Sequence, residues 1–372
     1  MDHLPTETLL PIFKGCTDLS TLYSLINTSR RLSAIFDNHA AEILDTVLTS
    51  VVPDPTHRLM RIILYIRAGE FKHRKWADRE THPLPLDDLP PPLLRKGVHL
   101  AHRVHVLAHL CLERCLQRCR ALGKVDGLPP WIEPPSWIEE QRAIIAFWRV
   151  QYFYELKIGR LKGRLNWGVG GLSALQSSTI EGEFSGFLRE RVMTAADFID
   201  EIRAEEGISN LGPPSSLASS FRLPDLGDRE VVDPSWRCGV ADWRMNLMEP
   251  VLSRPCTRSQ AVQEPMTLWL NPPWTRRSTA ELEAEPMAWI RLRSFDDLPR
   301  TETPQLRRLP FQPYRKFGLF FWGEEKINKL GLWPNRYNTE VNKGRDYFPR
   351  WLSLLTPDEL AWVIEGDEEN GW

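Results

Sequence analysis

Apolar residues recur at helical spacing through most of this chain, and proline repeatedly cuts the pattern into pieces. From position 2 to 52 the spacing predicts three or four short helices. Pro5 suits a first helical turn and Gly15 ends that helix. Asp18 caps the next, and Thr28 or Ser29 caps a third that carries Ala34, Ile35, Ala40, Ile43, Leu44 and Val47. Pro53 and Pro55 close the block. Basic helical material follows from Thr56 to about Glu80, then a proline-rich break from Pro83 to Pro92. A long helix is predicted over Leu93–Leu122, where only Gly97 weakens the propensity. Beyond PPWIEPPSW (129–137), an amphipathic helix runs from Trp137 to about Leu165. The glycine-rich NWGVGGLS comes next, and another helix spans Phe187–Glu206.

From Gly207 to about Glu283 the pattern changes to GPPSSLASS, DPSW, SRPC and NPPW. Isolated tryptophans among Pro, Ser and Arg predict irregular, partly disordered loops pinned by aromatic anchors. An aromatic cluster lies between Trp289 and Leu332, and Tyr347–Glu365 reads as a closing helix before the acidic end. The expected fold is mostly α with Pro-rich loops. It divides into an N-terminal unit (1–52), a helical region (56–206), the irregular stretch (207–283) and an aromatic-rich C-terminal region (284–372) packing on the helical one. No internal repeat or coiled-coil heptad is present.

Composition narrows the function classes. A formal net charge of -2 over 372 residues gives no basic field for nucleic acid or an anionic membrane. The most apolar run, IILYI (62–66), is far too short to span a bilayer. The N-terminus has Asp2, His3 and Glu7 where a secretory leader would have basic and then apolar residues. Six cysteines in such a chain are expected to be reduced thiols of a cytosolic or nuclear protein.

Residues with chemical potential are present but do not assemble into a known reaction. VHLAHRVHVLAHLCLERCLQRC (98–119) places His99, His102, His105 and His109 on one side of a helix and Cys111, Cys115 and Cys119 on another. Only neighbours such as His105 and His109 could share a metal, and two ligands are too few for a structural zinc site. The favoured reading is a polar histidine stripe beside core cysteines. GVGG (168–171) follows a helix, whereas a nucleotide loop needs a strand before it. LKIGRLKGRLNW (156–167) reads as a solvated basic helix end. No serine elbow, HExxH, Walker or kinase signature occurs. No catalytic residue, cofactor or metal ligand is therefore assigned, and an enzyme is not expected.

The first fifty residues raise a sharper question. Leu9, Leu10, Ile12 and Phe13 cover nearly half of the first helix, and Leu19, Leu22, Tyr23, Leu25 and Ile26 do the same on the second. A small helix packing on one neighbour needs only a narrower stripe. One apolar face should pack internally, while a second meets either the rest of this chain or another protein's helices. The stretch resembles an F-box: Leu4-Pro5 and Glu7, then Leu9-Leu10 and Ile12-Phe13. Asp18-Leu19, Leu22 and Leu25 follow, then Ser29-Arg30 and Leu32. Pro11 departs from the pattern. The resemblance covers about fifty residues. It implies a three-helix unit that docks on a Skp-type adaptor and, through it, a cullin ubiquitin ligase. The candidate adaptor contacts it implies are Leu4, Pro5, Leu9, Ile12, Phe13, Leu19, Leu22 and Leu25. FWRVQYFYEL (147–156) and YRKFGLFFWGEEKINKLGL (314–332) are similar to later segments of fungal F-box proteins, with Gly323 and Lys326 where those usually have Asp and Arg. The implied function is a substrate receptor without chemistry of its own, recruiting a protein substrate for ubiquitination. The alternatives are an adaptor-binding protein outside ubiquitination, or an enzyme whose first helices belong to its core.

Overall fold

The computed structural model describes residues 4–71, 84–123, 132–209, 281–282, 284–286, 288–290, 311–332 and 348–361. Every regular element among them is helical, and the fold is mostly α. In chain order the helices are α1 (Thr6–Lys14), α2 (Leu19–Ile26), α3 (Arg30–Asn38), α4 (Ala40–Val51), α5 (Asp54–Ala68), α6 (Pro91–Gly123) and α7 (Trp137–Leu161). Then come α8 (Val169–Ser177), α9 (Ile180–Glu183), α10 (Gly186–Ser209), α11 (Gln312–Arg315), α12 (Glu324–Lys329) and α13 (Phe348–Ser353). The expected irregular stretch 207–283 lies almost wholly outside the described residues, though α10 runs through its first positions.

The start signals act as their chemistry predicts. Asp18 accepts from the Thr21 amide and Ser29 from the Leu32 amide, each satisfying a donor that the helix leaves open. Ser136 and Glu139 form a reciprocal capping box that starts α7. Ser136→Ala is expected to lower stability by about 1 kcal/mol in urea unfolding, with an unchanged m-value.

Two predicted helices are broken. The third helix splits at His39, which is the C-cap of α3 and the N-cap of α4. The closing helix stops at Ser353. A new turn begins where Thr356 Oγ1 accepts from the Glu359 amide and the Glu359 carboxylate accepts from the Thr356 amide. At Thr356 local hydrogen bonding outweighs a continuous apolar pattern, whereas His39 caps α4 with no side-chain hydrogen bond.

Helix α7 is the centre of the molecule, with α5, α6 and α10 packed around it. Apolar and aromatic side chains cover its whole circumference, so it is buried all round where an amphipathic helix was expected. Several of its buried polar groups meet neighbours. Glu155 accepts from Arg67 Nε at 2.7 Å and from Gln151 Nε2 at 2.6 Å. The basic segment expected to be solvated behaves differently at Lys157. That ammonium is buried and donates to the carbonyls of Gln176 (3.1 Å) and Ser178 (2.6 Å), closing the C-terminal end of α8. Gly97, which seemed only to weaken α6, has a packing role. A Cβ there would meet Leu64 Cδ2 at 2.9 Å, so glycine lets α5 and α6 approach.

The C-terminal aromatics pack on α7 and α10. Phe320, Phe321 and Trp322 are fully buried, and two arginines hold their backbone. Arg191 donates to the carbonyls of Phe320 (3.0 Å), Leu282 (3.0 Å) and Ala284 (3.2 Å). Arg142 donates to those of Phe321 (3.2 Å) and Glu281 (3.0 Å).

Candidate functional site

The N-terminal helices meet the body of the fold through α5 and α6. Helix α2 lies on α6, where the Tyr23 ring stacks on His102 with centroids 4.1 Å apart and Ser20 Oγ lies 2.9 Å from His102 Nδ1. Arg95 of α6 donates to the Ser33 carbonyl at 3.0 Å and pairs with Asp37, which fixes α3. Arg61 of α5 pairs with Asp45 of α4. One apolar core runs without interruption from Leu9 to Leu354, across the boundary expected near 52. Helix α1 is the outermost of the block and packs on α3 and α4.

This arrangement divides the eight candidate contacts. Leu9, Phe13 and Leu22 are turned inward and have essentially no exposed surface; Phe13 and Phe36 rings sit 6.5 Å apart. These three are core residues, because α3, α4 and α6 already cover the face they form. Leu19 and Leu25 are half-buried at the edges of α2. Leu4 and Ile12 remain open, at 38% and 40% of their surface, and Pro5 is exposed between them. Thr8, Pro11 and Ile12, at i, i+3 and i+4, share the exposed outer side of α1, and Leu4 lies just before the helix, whose N-cap is Pro5. Pro11 belongs to that outer side. Its missing donor falls within a nine-residue helix that continues to Lys14.

The outer side is held from behind. Arg31 donates to the Leu4 carbonyl, Lys14 pairs with Glu42, and Cys16 Sγ donates to the Ile12 carbonyl at 3.6 Å. The inner face of α1 is thus bound into the fold while the outer face presents apolar side chains to solvent.

Other candidates resolve into structural roles. Gly168 and Gly170 flank the exposed Val169 at the start of α8, and a Cβ at either would meet nothing within 4 Å. Neither glycine is required there by close approach. Cys111, Cys115 and Cys119 are buried and form no disulfide, while Cys238 and Cys256 lie outside the described residues. Burial and the neighbouring Asp18 raise the Cys16 thiol to about 11, which leaves it inert as a nucleophile. A cavity of about 400 Å3 lies between α6, α10 and α11. Its cations are already answered by its own acids: Arg315 by Asp197 at 3.2 Å and Lys316 by Glu359 at 2.6 Å, with Arg118 on Glu201. Gly323 donates to Glu139 Oε1 at 2.6 Å, and Lys326 pairs with the other oxygen of that carboxylate. An aspartate at 323 would set a second carboxylate against Glu139.

Sequence reasoning missed one residue. Glu140, one turn into α7, reaches the imidazoles of His105 and His109 on α6. Nothing in the spacing of the histidine stripe indicates a partner some thirty residues further on.

No family model, curated protein or solved structure matches this chain. Among the described residues, no helix is long and apolar enough to cross a membrane.

Proposed function

We propose that this chain is an F-box-like adaptor: the outer face of α1 docks on a Skp-type protein, and the helical body recruits a protein substrate to a cullin ubiquitin ligase. The observation that carries the reading is the exposure of Leu4 and Pro5 just before α1, and of Pro11 and Ile12 on its outer side, while its other face is bound into the fold. Exposed apolar side chains grouped on one side of a bound helix mark a candidate contact surface. The contact set is Leu4, Pro5 and Ile12, with the half-buried Leu19 and Leu25 as weaker candidates on α2. The role needs no chemistry from this chain. Holding target and conjugating machinery together raises their effective concentration, and the cytosol or nucleus is where that machinery works.

The test uses the purified full-length chain and a purified Skp-type adaptor in titration calorimetry. Ile12→Asp is expected to weaken binding at least about thirtyfold, because a carboxylate at the centre of an apolar contact is buried without a partner. Its unfolding midpoint should stay within about 2 °C of wild type, since the side chain faces solvent in the isolated protein. Wild-type protein that fails to bind the adaptor, or a variant that binds equally well, sinks the proposal. A large loss of stability in Ile12→Asp would mean instead that the outer side of α1 is covered by this chain itself.

A further inference from the structure

Four glutamates are buried among the described residues: Glu139, Glu140, Glu155 and Glu190. Three of them meet a permanent cation, Glu139 at Lys326, Glu155 at Arg67 and Glu190 at Arg315. Glu140 meets imidazoles instead. Its Oε1 lies 2.8 Å from His109 Nε2 and 3.6 Å from His105 Nε2. The two histidines are one helical turn apart on α6, with ring centroids 4.2 Å apart. One ligand atom from each of the three residues falls within a 4.8 Å cluster.

Among the described residues, these three side chains are the group of potential ligands that comes this close together. Neutral imidazole is the form that binds metals.

We propose that His105, His109 and Glu140 form a Zn2+ site joining α6 to α7, with its remaining coordination position facing solvent beside His105. Two histidines at i, i+4 and one carboxylate make a zinc donor set that leaves one of four positions open. Bonds of about 2 Å in tetrahedral geometry set ligand atoms roughly 3.3 Å apart, and the 2.8 and 3.6 Å separations bracket that value. The His105 side chain keeps 25% of its surface, whereas His109 keeps 9% and Glu140 3%, so an ion would enter from the His105 side. One turn earlier on α6, His102 carries the ring stack and hydroxyl contact that hold α2. Zinc would therefore stiffen the helix on which the N-terminal block sits. The proposal is independent of the adaptor reading.

Full-length protein stripped with chelator and titrated with Zn2+ should bind one equivalent at the cluster. Saturation a hundredfold above Kd should raise the unfolding midpoint by about 5 °C, and chelator should reverse the rise. Glu140→Gln and His105→Gln, checked for native circular dichroism, should each weaken zinc binding at least about tenfold. His105 is partly exposed, so its variant keeps the test alive if the buried Glu140→Gln misfolds. Co2+ reports the donor atoms: visible bands of a nitrogen–oxygen site are expected, without the near-ultraviolet thiolate band that cysteine ligation would add. Failure of wild type to take up zinc, a thiolate band, or variants that bind as wild type would each overturn the site.

Discussion

Arg191→Met is expected to cost about 3–5 kcal/mol and to loosen the C-terminal aromatic segment from α10. Arg191 is one of the largest fully buried side chains, and its guanidinium donates to the carbonyls of Phe320, Leu282 and Ala284. Methionine matches much of its volume but supplies no donor. The Phe320 and Leu282 carbonyls would then be buried without partners, at about 1–3 kcal/mol each, and the third contact adds less because Ala284 is exposed. An opposing effect exists. Burial, together with Arg142 and Arg149, lowers the Arg191 pKa well below its ordinary value, so removing this charge relieves repulsion and desolvation. The loss of donors wins because methionine leaves no path for water to the two buried carbonyls. Arg191→Lys should recover little, since a single ammonium cannot reproduce a planar fork aimed at three acceptors. Thermal unfolding of both variants, with tryptophan fluorescence reporting Trp322 and its neighbours, checks this. A methionine variant as stable as wild type would show that the charge costs as much as its hydrogen bonds return.

The sequence pattern carried most of the helical architecture. Asp18, Ser29 and the proline pairs are local signals, and local chemistry decides where such helices start and stop. Which side of each helix faces inward was less legible. The wheel of α1 gives an apolar arc through Leu9, Ile12 and Phe13, but only the packing of α3 and α4 places Leu9 and Phe13 inside and Ile12 outside. On α2 the arc is wide because two partners use it: α3 within the block and α6 from far along the chain. Lys157 and Glu140 were misread or missed for the same reason. Their roles depend on the carbonyls ending α8 and on imidazoles of α6, and no periodicity within α7 encodes either.

Acidification from pH 7 to 5 is expected to destabilise the metal-free protein by on the order of 3–5 kcal/mol. His57, His102 and His105 are depressed to about 4 and His109 to about 3, each chiefly by burial, and His99 is lowered in the same way. Arg61 adds to the effect at His57 by donating from Nε to His57 Nε2, which needs that nitrogen unprotonated. A group whose folded pKa lies below its unfolded value leaves the unfolded state holding more protons between the two. For these imidazoles the window runs from about 6.5 down to about 4, and stability falls as pH drops through it. Glu140 works in the opposite direction. Its folded value of about 7 lies above the unfolded 4.5, so the penalty it imposes at neutral pH is relieved on acidification. Four strongly depressed imidazoles against one raised carboxylate leave the net slope positive. Urea unfolding at half-unit steps in chelator-containing buffer should therefore give a free energy that rises from pH 5 to 6.5 and flattens near neutrality. His57→Gln should remove about one proton from the slope without touching the α6–α7 cluster. A stability that is flat, or that increases on acidification, would mean that Glu140 and its neighbours dominate and that the imidazoles titrate as they do in the unfolded chain.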